Sequence, residues 1–329
     1  MKTVTIAHEK WPLERPFRIA YQSITDIDVI VATVSDGTHV GRGEGVPFDR
    51  FEGPFEQSLA AAQAAADAVR RGASRHDLID ECAPTAGRNA LDCALWDLES
   101  RRAGQPVWRL AGLERFEALP VTFTVGIDRP DVMARHAAAA AQSLLKIKLD
   151  ADDPVATIRA IREAVPTKTL IADANEGWTF EQLTEVLPHL AALGVEMVEQ
   201  PLAAGGDAAL EGYAAPLTLS ADESCCTLAD LDAVAPRYQM INIKLDKTGG
   251  LTHALALARA ARARGLSLMV GNMVGTSLAM APAMIIGQWC RYADLDGPLL
   301  LAGDRVPRLD YTDGFIHPSR GGLWGEGAP

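Results

Sequence analysis

Eight short β-type runs recur at a nearly even interval through the second part of the chain, and few architectures accommodate that rhythm. They are PVTFTVG, LLKIKLD, TLIADAN, EMVEQPL, LTLSADE, MINIKLD, SLMVGNM and RYADLDG. Measured between polar ends at Lys148, Asp173, Glu199, Asp222, Lys244, Gly271 and Asp294, the period is 22–27 residues. Amphipathic, alanine-rich stretches lie between the runs. A β-α unit fits within such a period, and strands alternating with helices imply a parallel sheet. Eight units predict an α/β fold of the (β/α)8 type, a TIM-like barrel, over residues 118–300, with the last helix poorly marked. A doubly wound open sheet competes, but it gives no reason for eight even repeats.

Residues 1–117 follow a different grammar and read as an N-terminal α+β capping domain. Asp28 to Gly45 reads as a hairpin turning at Ser35-Asp36-Gly37. FEQSLAAAQAAADAVRRG and AGRNALDCALWDLESRRAG read as helices, each closed by a glycine after arginines. In the second, Ala90, Leu91, Ala94, Leu95 and Leu98 form an apolar face. GRGEG lacks the G-x-G-x-x-G spacing of a nucleotide loop and reads as a hairpin end. Residues 301–329, rich in Gly and Pro, are expected to leave the barrel and pack back on the cap.

A net charge of −12 argues against nucleic acid and acidic membrane surfaces as partners. No run approaches the ~18 apolar residues of a membrane helix, and MKTVTIAHEKWPLERPF has no signal-peptide pattern. The 5 cysteines, with Cys225-Cys226 adjacent and no C-x-x-C, read as reduced thiols of a cytoplasmic protein. Among the 7 histidines there is no H-x-E or H-x-x-x-H pair, which argues against a histidine metal site.

In a barrel of this kind the active site lies at the C-terminal strand ends. Asp173, Glu199 and Asp222 end three successive strands and converge there. Three neighbouring carboxylates repel one another unless a cation sits among them. An all-oxygen set with room for water and substrate suits Mg²⁺ better than zinc. Taken singly, each carboxylate also reads as an N-cap for the following helix. Lys148 ends the strand before this set and Lys244 the strand after it, so they approach from opposite sides. A lysine near a divalent cation and a second lysine loses its proton more easily and can serve as a base. Two such bases allow a proton to leave one face of a carbon and return on the other. Salt bridging to the carboxylates is the alternative role, and both can hold before substrate binds. Lys146 shares a strand face with Lys148. Lys247 is expected beside Asp222 or Glu223, and Gly249-Gly250 either forms a tight turn or admits an anion.

KIKLD, IADANEGW, VEQPL, ADESC and NIKLDKTGG, with RNALDCALWDL in the cap, resemble the motifs of the enolase superfamily, muconate-lactonizing subgroup. The resemblance covers the whole chain. It implies Mg²⁺ held by Asp173, Glu199 and Asp222, with Lys148 and Lys244 as the acid/base pair. It also implies that Lys146 neutralises the substrate carboxylate as an enediolate forms. YADLDGP is similar to the eighth-strand motif of the dipeptide epimerases, L-Ala-D/L-Glu epimerases among them. There an Asp-x-Asp pair holds the substrate α-ammonium, a role that falls here on Asp294 and Asp296. The physics agrees, since a buried amine needs carboxylate partners and that side of the mouth is expected to lack other counter-ions. Capping before Gly297-Pro298 is the alternative role for Asp296.

One position departs from the pattern. Ile24 stands where epimerases preferring glutamate tend to carry a basic residue. Arg18, or Arg50 in the loop VPFDRFEG, is the substitute, since such loops close over barrel sites. The expected activity is therefore a Mg²⁺-dependent dipeptide epimerase working by two-base 1,1-proton transfer. Its partner is a small dipeptide, and a homo-oligomer is compatible with it. On the same fold, an o-succinylbenzoate synthase or muconate-type cycloisomerase would need no ammonium site. A barrel keeping its metal only for stability would exchange no α-proton.

Overall fold

In the computed structural model, which describes residues 2–19 and 22–327, the cap opens with a three-stranded antiparallel sheet. Its strands are β1 (Thr3–Ile19), β2 (Gln22–Ser35) and β3 (Val40–Gly45), in that order. The β2–β3 turn is held by Asp36, whose Oδ1 accepts from Thr38 and His39 N–H at 2.9 and 2.8 Å. β1 did not stand out in the sequence because it is an edge strand whose side chains are mostly exposed or half-buried. Helices α1 (Asp49–Glu52), α2 (Phe55–Arg71), α3 (Asp77–Glu81), α4 (Ala86–Ala103) and α5 (Val107–Leu110) follow. The expected glycines, Gly72 and Gly104, cap α2 and α4 in the left-handed region.

GRGEG now has a packing role. A Cβ on Gly41, Gly43 or Gly45 would lie 2.1, 2.2 or 1.9 Å from the carbonyl oxygens of Ala94, Ala90 and Ala86. Alternate glycines thus let β3 lie directly on α4. Helix α4 is buried far beyond its predicted apolar face, with Arg88, Asn89, Asp92 and Asp97 also enclosed. Those polar side chains find partners across the seam with the barrel and tail. Arg88 donates to the carbonyls of Thr248 and Gly249, and Asp92 accepts from Thr252 N–H and Oγ1.

After the short β4 (Leu119–Pro120) come eight parallel strands. The first half runs β5 (Thr122–Val125), α6 (Pro130–Ala139), β6 (Leu144–Lys148), α7 (Pro154–Ala164), β7 (Thr169–Asp173), α8 (Phe180–Ala192) and β8 (Val195–Glu199). It continues through β9 (Thr218–Ala221), α9 (Leu231–Val234), β10 (Met240–Ile243), α10 (Leu245–Thr248) and α11 (Leu251–Ala263). The last members are β11 (Ser267–Val270), α12 (Ser277–Gly287), β12 (Tyr292–Ala293) and α13 (Gly297–Leu300). All eight predicted runs are strands in sequential order, and a parallel bridge between Val121 and Ala293 joins the last strand to the first. The helical ring is less regular. After β8 there is only a 3₁₀ turn at Asp207–Leu210, in a stretch broken by Gly205-Gly206 and Pro216. After β12 the helix has 4 residues, and the chain then returns to the cap. Leu301 bridges Leu13, and Trp324 Nε1 donates to Cys93 O at 3.0 Å. A small sheet of β13 (Asp310–Thr312), β14 (Phe315–His317) and β4 lies beside the N-terminal strand ends. No helix among the described residues is long and apolar enough to cross a membrane.

The barrel interior is layered, and the two-residue period of the strands explains why. Leu144, Ile171, Met197, Met240, Met269 and Tyr292 form a separate buried cluster that floors the barrel. Two residues further along the same faces come Lys146, Asp173, Glu199, Asn242 and Asp294, and then Lys148 and Lys244. The intervening residues, such as Leu145, Ile147, Val198 and Ile243, join the core beneath the helices. Gly43→Ala, which forces a Cβ onto the Ala90 carbonyl, should cost about 2–3 kcal/mol or more. Urea denaturation at constant m-value is the measurement.

Candidate active site

At the C-terminal mouth, Lys146 Nζ lies 3.0 Å from Asp173, 2.8 Å from Glu199 and 2.8 Å from Asp294. Its side chain is 2% exposed. Burial alone would lower its pKa, but Asp294, Glu199 and Asp173 together hold it well above the ordinary lysine value. Asp294 Oδ1 in turn accepts from Thr122 Oγ1 at 3.1 Å and Thr124 Oγ1 at 3.3 Å. The expectation that this side of the mouth lacks a counter-ion is therefore corrected: Lys146, one pleat below Lys148, reaches across to Asp294. Asp296 is the N-cap of α13, yet its side chain makes no capping bond. Its Oδ2 accepts from Thr124 N–H at 2.6 Å, and burial with Asp294 close by pushes its carboxyl up to about 7.

The two lysines at the outer layer are each held by a different carboxylate. Lys148 Nζ donates to Asp173 Oδ2 at 2.6 Å and to Asn175 Oδ1 at 3.0 Å. Lys244 Nζ donates to Asp222 Oδ2 at 2.6 Å. Lys148 ends β6 and Lys244 follows β10, four strands apart in a ring of eight, so they stand on opposite sides of the mouth. Lys247 donates to both Asp222 Oδ1, at 2.6 Å, and the Asp222 carbonyl. Lys244 and Lys247 override the burial of Asp222 and hold its carboxyl far below the usual range. Asp173, also buried, is drawn down to about 2 by Lys148 and Lys146. Glu199 goes the other way, to about 7, through burial and the repulsion of Asp173. Glu223 is pushed to about 7 by burial and Asp222.

Charge balance tests whether these residues fit a metal. Six buried carboxyl groups, on Asp173, Glu199, Asp222, Glu223, Asp294 and Asp296, face four ammonium groups on Lys146, Lys148, Lys244 and Lys247. Glu199 Oε2, although 2.8 Å from Lys146, and Glu223 Oε2 have no donor in hydrogen-bonding alignment. An all-oxygen, net-acidic set with unsatisfied lone pairs fits a divalent cation. As the side chains stand, lysines separate the carboxylates, and among the described residues no three His, Cys, Asp or Glu groups close around one point.

Above this layer opens a cavity of about 500 Å³. Lys148, Asn175, Asp222, Glu223 and Lys244 form its polar wall, and Phe17, Ile24, Phe48, Arg50, Phe51, Met273 and Val274 the cap side and rim. Ile24 and Arg50 thus both reach the cavity. Arg18 lines a separate pocket with Arg15 and His136. Asn175 and Asn242 are further polar residues of the site, and Asn242 donates to Glu199 Oε1 at 2.8 Å. Its position one pleat below Lys244 mirrors that of Lys146 below Lys148, and strand parity is the signal that finds it.

Comparison with known proteins identifies the family. Residues 1–112 match the mandelate racemase/muconate lactonizing enzyme N-terminal domain, and residues 132–323 the enolase C-terminal domain-like family. The chain belongs to the enolase superfamily. It is 45% identical over 320 residues to the L-Ala-D/L-Glu epimerase of Escherichia coli (strain K12), covering 96% of this chain and 100% of that protein. It is 42% identical over 301 residues to the N-acetyl-D-glutamate racemase of Pseudoalteromonas sp, covering 90% and 95% respectively. Among solved structures, an enolase family member from Agrobacterium tumefaciens with homology to dipeptide epimerases superposes with a TM-score of 0.96. It shares 42% identity, covers 99% of this chain and 100% of its own, and holds sodium and L-Ala-L-Glu with an ordered loop.

In this enolase-superfamily chain the cap also reaches the lysine side of the mouth. Asp246, two residues beyond Lys244, accepts from Val46 N–H at 2.9 Å and Asn89 Nδ2 at 2.8 Å. Burial raises its carboxyl from 3.8 to about 7, with Glu52 and Glu44 adding to the shift. A carboxyl raised in the folded state costs stability as pH climbs from about 4 to about 7. Asp246→Asn removes that loss while keeping an acceptor for Val46. Denaturant titrations should show the variant gaining on the wild type between pH 5 and pH 8. Parallel pH curves would contradict the assignment.

Proposed function

We propose that this protein is a Mg²⁺-dependent epimerase that inverts the α-carbon of the second residue of a dipeptide, L-Ala-D/L-Glu or a close relative. The observation carrying the reading is the pair Lys148 and Lys244 on opposite sides of one carboxylate-lined cavity. Asp173, Glu199 and Asp222 are the residues that would hold the metal. Bound there, Mg²⁺ supplies electrophilic charge to the substrate carboxylate and so acidifies the neighbouring α-proton. One of the two lysines, in its neutral form, takes that proton from its face of Cα. The opposite lysinium returns a proton to the other face, which inverts the centre. The lysine states are then exchanged, and the protein returns to its start by proton exchange with water. Lys146 keeps a fixed positive charge beside the enediolate as negative charge builds there. Asp294 and Asp296 hold the substrate α-ammonium, and Arg50 and Ile24 meet the second side chain.

α-Proton exchange in D₂O, followed by NMR with Mg²⁺ present, tests the scheme. Lys148→Ala and Lys244→Ala should each lower epimerisation by roughly 10²–10⁴. Near-wild-type epimerisation in either variant would overturn the two-base scheme. A second reading, a racemase of an N-acyl amino acid, is favoured by one observation: Asp294 already has a counter-ion in Lys146. Asp294→Asn separates the two readings. Loss of dipeptide activity supports the ammonium site, whereas unchanged exchange together with turnover of N-acetylglutamate supports the acyl substrate.

A further inference from the structure

Arg50 is the only cation lining the substrate cavity, among the described residues, besides the two lysines at its floor. It sits on α1 in the cap, and its Nη2 meets Glu176 Oε2 in the loop after β7. The two ends of this pair differ sharply in exposure. The Glu176 side chain is 5% exposed and that of Arg50 41% exposed. Glu176 is also pinned by its backbone: its N–H donates to Gln200 O at 2.7 Å, and its Oε1 accepts from Ala204 N–H at 2.7 Å. It holds a φ of 65° beside Asn175 at 42°, so the loop is locked in an uncommon conformation. The carboxylate is therefore fixed, and the guanidinium is the more exposed end of the pair.

This arrangement bears on which second residues the cavity accepts. From the cap, Phe17, Ile24 and Phe51 give the cavity apolar surface that suits a neutral side chain, beside the carboxylates of Asp26, Asp28 and Asp49. An acidic side chain entering there meets Arg50, whose charge Glu176 already offsets. We propose that Arg50 is an exchangeable counter-ion. Glu176 holds it when the second residue is neutral, and the side-chain carboxylate of an acidic second residue takes it over. Glu176 is then an internal competitor that lets one cavity serve both classes of dipeptide and moderates the preference for the acidic one. A partly exposed ion pair contributes little, so such an exchange is easily reversed. The inference rests on the dipeptide reading of the site.

L-Ala-L-Glu and L-Ala-L-Gln differ at the second side chain by charge with almost no change of shape, and the ratio of their kcat/KM values reads the effect. Glu176→Gln keeps an acceptor for Ala204 N–H and removes the Glu176 charge that offsets Arg50, so the acidic-to-neutral ratio should rise roughly two- to fivefold. Arg50→Gln, on the short exposed helix α1, should lower the ratio below the wild-type value, and the double variant should match Arg50→Gln. A ratio that is unchanged or falls in Glu176→Gln overturns the proposal, as does an unchanged ratio in Arg50→Gln. If wild-type protein turns over both dipeptides and the ratio does not respond, only this proposal fails. If it exchanges the α-proton of neither, the dipeptide reading fails with it.

Discussion

Lys146 Nζ stands 2.8–3.0 Å from carboxylates on three different strands with almost no access to water, and the rest of the mouth is arranged around that contact. Carboxylates brought this close in a buried space would repel one another and take up protons. Lys148 together with Lys146 lets Asp173 remain ionised despite its burial, while Glu199, which has no lysine to itself, is pushed to about 7 by burial and Asp173. Breaking such a buried network by removing one member is far costlier than losing a surface pair, because the abandoned charges stay buried. The carboxylates, the two outer lysines and the cavity above them thus depend on a residue that need not exchange a proton with substrate.

The apolar floor under this layer is the other half of the arrangement. Leu144, Ile171, Met197, Met240, Met269 and Tyr292 close the barrel from below. Water is kept from the charged layer on that side, and every electrostatic interaction above it is strengthened. The cap completes the enclosure from above and is tied to the Lys244 side of the barrel. Arg88, Asn89 and Asp92 on α4 grip the residues that follow Lys244, while Gly41, Gly43 and Gly45 let the cap sheet sit on the same helix. A shift of the cap would therefore be felt at Lys244.

Much of this was legible beforehand because strand parity is strict. Once LLKIKLD is a strand, Lys146 and Lys148 must share a face, and MINIKLD repeats the pattern with Asn242 beneath Lys244. Near-even spacing of the eight runs fixed their order around the ring. The helices were less legible: Gly205-Gly206 and Pro216 interrupt the segment after β8, and a 3₁₀ turn stands where a helix was expected. GRGEG reads locally as a hairpin end, but its contact with α4 involves residues some fifty positions away and has no local signal.

The sequence by itself determined which side chains face the barrel axis and at which end they gather, because a two-residue period repeated at a β-α interval leaves little freedom. It also determined the excess of acid over base among those side chains, and hence the need for a cation. Only the tertiary structure decided which charge meets which. Lys146 reaches past β5 to Asp294, Asp296 turns to the backbone of Thr124, and Arg50 crosses from the cap to Glu176. Those pairings depend on side-chain reach over gaps of a few ångströms between elements distant in sequence, and no local pattern encodes such distances.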